Sequence, residues 1–251
     1  MIYSGFFWFL VTLVPLVFLQ RLLHREIQAV LLILTRDAKL TIGLFSILFF
    51  PGVFVHELSH FLMAKILRVR TGKFSLIPKT LPNGRLQMGY VETERTDVFR
   101  DSLVGAAPLI VGSLLVAKIG IDRMGLVSLW NIYYQYGNFY LLRMGFETLL
   151  GFPDFYVWFY LVFAVSSTMM PSESDRHAWY QLGAWVAVLL GLALFAGAGG
   201  WMLANLAPLL NDFLSVVATL FGLSVVLQVV LLLPIMLSHK IVSRVTGVDV
   251  R

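Results

Sequence analysis

The feature that most constrains this chain is one apolar run, Ile42–Ala64, which reads IGLFSILFFPGVFVHELSHFLMA. It is long enough to cross a bilayer as a helix, because about 20 apolar residues suffice. The run nevertheless contains three ionisable side chains, His56, Glu57 and His60. Such side chains are costly at membrane depth unless a neighbour or a bound ion compensates them, so they mark functional sites. The run therefore predicts a membrane span with a functional site inside it.

Composition places the rest of the chain in the same membrane class. Of the 251 residues, 59% are hydrophobic and 13% are charged, whereas soluble domains carry about 25% charged residues. We therefore predict an all-α polytopic membrane protein with a single integral-membrane domain over residues 1–251. The chain has no Cys, so any metal must be held by His, Asp or Glu. The net charge of +5 is more typical of membrane orientation than of a nucleic-acid partner.

Apolar segments predict about six transmembrane helices, separated by a few polar stretches. Residues 21–39 carry charges around an apolar stretch that is too short to span, which predicts an interfacial or re-entrant segment. Residues 120–154 are rich in aromatic side chains and predict a second interfacial segment. The predicted spans are Tyr3–Gln20, Ile42–Leu67, Val98–Ile119, Phe155–Met170, Gln181–Leu203 and Ala207–Ser238.

Residues 67–97 are the long polar stretch of the chain, and they predict a short β-hairpin after the H-E-L-S-H helix. Two strand-like runs, KFSLIP and RLQMGYVE, flank the connection KTLPNG. Asn83 and Gly84 suit a type I′ turn, because both central residues of that turn need positive φ. An ordinary polar loop is the alternative. The hairpin is rich in Lys and Arg, so with six spans it and both termini are expected on the cytoplasmic side.

The spacing of His56 and His60 predicts a metal site. On a helix these residues are i and i+4, so both imidazoles project from one face and can reach one zinc ion at ~2.0–2.1 Å. Glu57 lies about 100° round the helix. Its carboxylate can therefore reach a water molecule at the metal and act as a general base. A structural hydrogen-bond cluster is the alternative for these three residues.

A catalytic zinc ion needs a third protein ligand and one open position. The segment SSTMMPSESDRHAW, after the fourth predicted span, offers Glu173, Asp175 and His177. Pro171 would end the helix there, so a residue of the following turn can fold back to the metal. We favour Asp175 as the ligand. A solvated loop without any metal ligand is the alternative.

The H-E-L-S-H pattern within a predicted span resembles the motif of the site-2 protease family of intramembrane zinc metalloproteases. The segment LVGAAPLIVGSLL, with Gly105–Pro108, is similar to a small-residue segment on the next span of that family. The resemblance implies one Zn2+ per chain and Glu57 as the catalytic base. It also implies that the metal ligands are His56, His60 and Asp175.

The resemblance has one irregular part, the segment that carries the third ligand. Arg176 stands where the family usually has Gly, and Pro171 is what remains of the family's prolines. Many relatives also carry a PDZ or CBS domain, for which this chain has no space.

A substrate-presenting strand near the site is a further implication of the resemblance. A helical substrate hides its carbonyl groups within its own hydrogen bonds, so it must unwind before it can be cut. An exposed strand edge can hold such an extended segment by β-augmentation. The corresponding side chains in this chain are Phe74, Leu76, Leu86 and Met88.

The leading functional hypothesis is an intramembrane zinc endopeptidase that cuts transmembrane protein substrates near the cytoplasmic face. We expect it in the cell membrane of a prokaryote, with a regulatory membrane partner as a further expectation. The second hypothesis is a catalytically silent relative that binds or escorts membrane helices. The third is a different membrane metalloprotease in which Glu173 replaces Asp175. A transporter fits poorly, because the other spans carry few charges and show no inverted repeat.

Overall fold

The computed structural model describes residues 4–80, 86–248 and 250, and most of them are helical. The long apolar helices in this part of the chain are compatible with an integral membrane protein. A short π-helical turn, Met202–Leu206, joins the last two helices. In chain order the elements are α1 (Ser4–Thr35), α2 (Ala38–Leu48), α3 (Phe50–Ile66), β1 (Thr71–Ser75), β2 (Lys79–Thr80), β3 (Leu86–Gln87), β4 (Tyr90–Thr93), α4 (Val98–Asp122), α5 (Leu126–Tyr136), α6 (Phe139–Leu150), α7 (Phe155–Thr168), α8 (Trp179–Phe195), α9 (Gly199–Trp201) and α10 (Ala207–Thr246).

Helix α1 is longer than the sequence predicts. It ends at Thr35, so the separate interfacial or re-entrant segment predicted for residues 21–39 is wrong. The helix can continue through its charged residues because Glu26 has a partner, His239 of α10, whose Nδ1 donates a hydrogen bond to Oε2 at 2.6 Å. Arg36 then adopts a positive φ of 53°, and this left-handed conformation ends the helix.

The run that carries H-E-L-S-H forms two helices rather than one. Helices α2 and α3 meet at a bend of 70°, where Phe49 caps α2 and Pro51 lies in the first turn of α3. Proline lacks an amide hydrogen and therefore starts a helix more readily than it continues one. Beside the bend, the carbonyl of Leu48 accepts a hydrogen bond from the hydroxyl of Tyr160 at 2.8 Å. Together the two helices are apolar enough to form one broken span.

Helices α1 and α10 pack side by side and run parallel. Near their starts, Gly5 N donates to Asn211 Oδ1 at 2.8 Å, and farther along both helices Glu26 meets His239. Six alternating spans would place the first and the last antiparallel, so the parallel order favours an odd number of spans. The predicted count of six is not confirmed. Within the described residues, three helices can cross a membrane alone, and five spans result if each of two bent helix pairs counts as one.

Helix α8 accounts for the difference between six spans and five. It has 17 residues, none of them buried, and its Trp179 Nε1 donates to the carbonyl of Ser102 at the start of α4 at 3.2 Å. After α9 and the π-helical turn, α10 continues through Pro234 to Thr246. Because α1 and α10 are parallel, the start of α1 and the end of α10 lie at opposite ends of the bundle. This contradicts the prediction that both termini share the cytoplasmic side.

Most of the segment predicted to be interfacial, residues 120–154, forms helices α5 and α6. The two helices are joined at Gly137, which has a positive φ of 56°, a conformation that glycine adopts without strain. The chain then bends by 98° between α6 and α7, and Arg143–Leu150 together with α7 is apolar enough for a second broken span or a re-entrant loop. The interfacial location of α5 and α6 stays a prediction.

The predicted hairpin is present as an antiparallel ribbon between α3 and α4. At its base β1 pairs with β4, with Phe74 opposite Val91, and farther out β2 pairs with β3, with Lys79 opposite Gln87. The predicted turn at residues 83–84 lies outside the described residues. Among the described strands β4 pairs with β1 alone, so its second edge is free to accept another strand.

Candidate metal centre

Three side chains converge from two distant parts of the chain, and we call them the triad: His56, His60 and Asp175. The Nε2 atoms of the two histidines are 3.2 Å apart. His60 Nε2 lies 3.4 Å from Asp175 Oδ1, and His56 Nε2 lies 3.7 Å from Oδ2. Ligand atoms ~2.0–2.1 Å from a tetrahedral zinc ion would be ~3.4 Å apart. One ligand atom from each residue lies within 4.8 Å of the others, so the triad can hold one metal ion.

The other ring nitrogens of the two histidines fix their orientation. His56 Nδ1 donates to the carbonyl oxygen of Thr168 at 2.7 Å, and His60 Nδ1 donates to that of Val104 at 2.8 Å. A carbonyl oxygen only accepts hydrogen bonds, so each Nδ1 carries a hydrogen and each neutral ring keeps its lone pair on Nε2. Two lone pairs and a carboxylate then face one point, which requires a cation there or a proton on one ring. Backbone carbonyls commonly orient metal-ligating histidines in this way.

Two glycines allow the surrounding elements to approach this closely. A Cβ on Gly52 of α3 would collide with the carbonyl of Ala164 and with Oγ1 of Thr168 on α7. A Cβ on Gly105 of α4 would collide with the backbone carbonyl of Asp175. Gly105 belongs to the small-residue segment on which the family resemblance partly rests. In the structure it seats the loop that carries the third member of the triad.

The loop between α7 and α8 holds Asp175 in place. The backbone N of Ser172 donates to Asp175 Oδ2 at 2.7 Å, and Asp175 N donates back to Ser172 Oγ at 3.3 Å. Burial alone would raise the pKa of Asp175, but a proton on the imidazole of His56 or His60 and the hydrogen bond from Ser172 hold that pKa well below its usual range. These contacts favour the ionised carboxylate, the form in which aspartate binds a metal.

Asp101 links the same loop to the ribbon through contacts on both sides. The sequence did not predict this role of Asp101. Its Oδ1 accepts hydrogen bonds from the backbone N and the Oγ1 of Thr96, just after β4, at 3.1 and 2.7 Å. Its Oδ2 lies 3.6 Å from Nε2 of His177, whose Nδ1 donates to the carbonyl of Ser174 at 2.7 Å. No sequence pattern could have found this link, because His177 is distant from Asp101 in the chain.

Glu57 lies next to the triad at the floor of a cleft. Its side chain is buried, with 7% of the residue exposed. The cleft has a volume of about 840 Å³ and is lined by the triad, Glu57, the ribbon and part of α1. A Cβ on Gly89, between β3 and β4, would lie 2.8 Å from Cγ and 3.1 Å from Oε1 of Glu57. The absence of a side chain at Gly89 therefore lets the ribbon backbone pass directly over the candidate base.

The other two candidates for a third ligand lie near the triad without joining it. Glu173 and His177 both line the cleft. Across the residues that the structure describes, the group that could hold a metal consists of His56, His60 and Asp175. The fold thus brings Asp175 to the two histidines, in preference to its neighbours in the loop.

The predicted substrate-presenting side chains have a structural task in the ribbon. Leu76, Leu86 and Met88 pack against the buried cluster between α1, α2 and α3. Phe74 is 40% exposed and contacts the ring of Phe61 edge-on, at 6.1 Å between centroids. These contacts seat the ribbon on the helices, while the backbone of β4 lines the cleft. A role for the four side chains in presenting substrate stays a prediction.

Comparison with protein-family models, with curated proteins and with solved structures finds no match for this chain. The chemistry of the site is therefore the basis for inferring a function. Two imidazoles and one carboxylate form a donor set that suits zinc and other divalent transition metals. Three protein ligands leave one position open, which is typical of catalytic rather than structural zinc sites.

Proposed function

We propose that this protein is an intramembrane zinc endopeptidase that hydrolyses peptide bonds of transmembrane protein substrates. The observation that carries the proposal is the position of Glu57, a buried carboxylate beside a three-ligand donor set on a helix of a candidate span. The resemblance of H-E-L-S-H to the site-2 protease motif supports the same reaction. The cleft beside Glu57, with its free strand edge, supports a polypeptide substrate.

Each polar residue of the site has a role in this reaction. His56, His60 and Asp175 would hold one Zn2+, which supplies Lewis acidity that lowers the pKa of water and polarises a carbonyl. Glu57 accepts the proton of the attacking water and returns it to the leaving amine. The carbonyl groups of α4 and α7 that accept from the two Nδ1 atoms keep both Nε2 atoms directed at the point where the ion would bind.

The free edge of β4 is the proposed place of the substrate. A segment that has unwound from a helix exposes its backbone groups and can pair with an unpaired strand edge. Tyr90–Thr93 forms that edge and lines the cleft. Because the ribbon passes over Glu57 at Gly89, a segment paired with β4 would bring its carbonyl groups to the base and the metal.

We place the site at the cytoplasmic face of the membrane. Under the parallel order of α1 and α10, the basic C-terminal tail moves to the other side, so the charges around the ribbon alone support this orientation. A reporter fused to each terminus tests it, and the termini are expected on opposite sides, with the N-terminus in the cytoplasm. The basic residues around the ribbon are Lys65, Arg68, Arg70, Lys73, Lys79, Arg85, Arg95 and Arg100.

Cleavage of a transmembrane reporter by the purified protein in liposomes tests the proposed reaction. Glu57→Gln is expected to lower kcat by ~100–10,000-fold, the usual effect of losing a general base, and to retain zinc. Glu147→Gln, in the exposed ion pair with Arg143, is the control and is expected to cleave normally.

Two results would contradict the proposal. Cleavage by Glu57→Gln at the rate of the wild type would exclude this mechanism. Purified protein without zinc, or zinc content unchanged by His60→Ala, would instead favour the catalytically silent relative.

A further inference from the structure

Helix α1 contributes two polar side chains to the cleft that the proposed chemistry does not use. Gln20 and His24 are i and i+4, so they project from one face of α1. Both line the cleft that contains Glu57 and the triad. They lie in the middle of a helix that is a candidate membrane span, where a polar side chain needs a specific reason.

His24 packs against aromatic rings, yet its Nε2 has no hydrogen-bond partner among the described residues. The imidazole packs edge-on against Phe45 and Phe49, with ring centroids 5.4 and 4.7 Å apart. Its Nε2 is buried without a hydrogen-bond partner within the described residues. A neutral imidazole carries a hydrogen on one nitrogen, and leaving such a donor unpaired in a buried site is unfavourable.

The side-chain amide of Gln20 uses its NH2 group within the protein, and its oxygen remains available. Its Nε2 donates to the carbonyl of Ser167 on α7 at 2.6 Å. This bond fixes the side-chain amide, and Oε1 makes no hydrogen bond within the described residues, so it is available as an acceptor in a residue that lines the cleft. Helix α1 therefore offers the cleft one fixed acceptor from Gln20 and one imidazole from His24 that can donate or accept.

An extended polypeptide segment has two hydrogen-bonding edges. If one edge pairs with β4, the amide and carbonyl groups of the other edge still need partners, since few water molecules reach membrane depth. We propose that Gln20 and His24 bind the second edge of the unwound substrate segment, which then lies between β4 and α1. This inference rests on the proposed protease function, and it adds α1 to the substrate site.

Recognition of this kind reads the backbone rather than side chains. It therefore tolerates many sequences, but it requires a segment that leaves the helical conformation. A substrate residue without an amide hydrogen, such as proline, would lose the contact when it stands opposite the acceptor of Gln20.

His24→Phe tests the inference, because phenylalanine can keep the ring contacts with Phe45 and Phe49 but has no nitrogen. We expect normal zinc content and a loss of about 10-fold in kcat/KM for a transmembrane reporter, mainly through KM. Ser46→Ala is the matched control. Ser46 Oγ is also buried without a partner, but Ser46 does not line the cleft, so its variant should cleave as the wild type does.

A set of substrate peptides with single backbone esters separates binding from packing. An ester removes one amide hydrogen. At the position whose amide hydrogen faces an accepting nitrogen of His24, the ester should weaken cleavage by the wild type but not by His24→Phe, because the two changes remove the same contact. A histidine that only packs in the core would show no such coupling.

Equal cleavage by His24→Phe and the wild type, with zinc retained, would overturn this inference and leave the proposed function intact. If the zinc-loaded wild type cleaves no reporter, the proposed function fails by itself. Crosslinking of the same peptides to the Glu57→Gln protein then decides whether the segment binds. Binding that His24→Phe reduces supports a role for α1, and binding that is unchanged overturns it.

Discussion

Two groups of ionisable side chains lie between the helices, and they are built in opposite ways. In the triad, the two Nε2 atoms lie 3.2 Å apart and face a carboxylate, so acceptors meet acceptors. In the second group, His239 Nδ1 donates to Glu26 Oε2 at 2.6 Å, and Arg25 Nη2 donates to Oε1 at 3.0 Å. Each oxygen of Glu26 therefore faces a donor, so this carboxylate needs no bound ion, although Nε2 of His239 is buried without a partner within the described residues.

The triad also has more open space beside it than the group of Glu26 and His239. The cavity beside Glu26 and His239 has a volume of about 210 Å³, whereas the cleft at the triad has about 840 Å³ and contains a free strand edge. An ionisable residue in an apolar helix is a reason to suspect a function. Such a residue indicates a functional site most strongly where its partners within the protein do not neutralise it.

Asp175→Ala has the largest expected effect and tests the acceptor character of the triad. Removing one of three ligands should lower zinc affinity by ~1,000-fold, because a zinc binding free energy of roughly 10–16 kcal/mol is shared among few ligands. Competition with a chelator measures this affinity. Glu173→Ala changes the same loop and is expected to retain zinc. Loss of zinc from Glu173→Ala alone would transfer the third ligand to that residue.

Glu26→Gln tests the balanced group. It should lower the free energy of unfolding by about 2 kcal/mol, because the largely buried His239 loses the charge to which it donates, while Arg25 is 65% exposed and contributes little. Zinc affinity should not change. Denaturant unfolding in detergent measures the effect, and Glu147→Gln, exposed beside Arg143, should cost less than ~1 kcal/mol. Loss of zinc on Glu26→Gln would break the distinction between the two groups.

The two histidines of the triad were predictable from the sequence. For the third ligand, Asp175, the sequence left a choice among three neighbouring residues. His56, Glu57 and His60 follow from helix periodicity alone. The third ligand depends on how a loop folds back, so the sequence could offer Asp175 only beside two neighbours. The structural reason for that fold is Gly105, which leaves room for the loop backbone. A close approach between distant segments has no periodic signal in the sequence.

The fold was less predictable than the site, because hydropathy gives the lengths of helices but not their directions. Glu26 is paired with His239, which is far away in the chain. Because the sequence does not show this partner, the charged residues of α1 were interpreted as the end of a span. The parallel order of α1 and α10 was not predictable either, because it depends on contacts between residues far apart in the chain. The bend before α3 did have a local signal, Pro51, which a search for one continuous span overlooks.

Asp101→Ala tests how strongly the triad depends on its surroundings. Zinc affinity should fall by about 10-fold, as for other residues that orient metal ligands, because the link between Thr96 and His177 is lost. The same chelator competition measures it. Asp97→Ala is the control, since Asp97 caps the same helix through the amides of its first turn and does not contact the loop. An equal loss of affinity in both variants would mean that the start of α4, rather than this link, supports the metal.

Gly89→Ala has the smallest expected effect and tests the contact between the ribbon and Glu57. A Cβ at this position would lie 2.8 Å from Cγ of Glu57 and 3.1 Å from the carbonyl oxygen of Ser75, so either the ribbon or the carboxylate must shift. A shift of a few tenths of an ångström at the base should lower kcat roughly 5-fold. Zinc affinity should stay normal, because no atom of the triad is displaced.

Gly72→Ala is the matched control for this change, because it adds the same methyl group elsewhere in the ribbon. A Cβ at Gly72 would lie 2.8 Å from Oε2 and 3.1 Å from Cβ of the exposed Glu92, so any adjustment falls at Glu92 rather than at Glu57, and a normal kcat is expected. If Gly89→Ala lowers zinc affinity instead of kcat, the ribbon supports the triad rather than the base. If Gly89→Ala changes neither zinc affinity nor kcat, the ribbon does not contact Glu57 in the active protein. The proposal that a substrate segment paired with β4 brings its carbonyl groups to Glu57 would then fail.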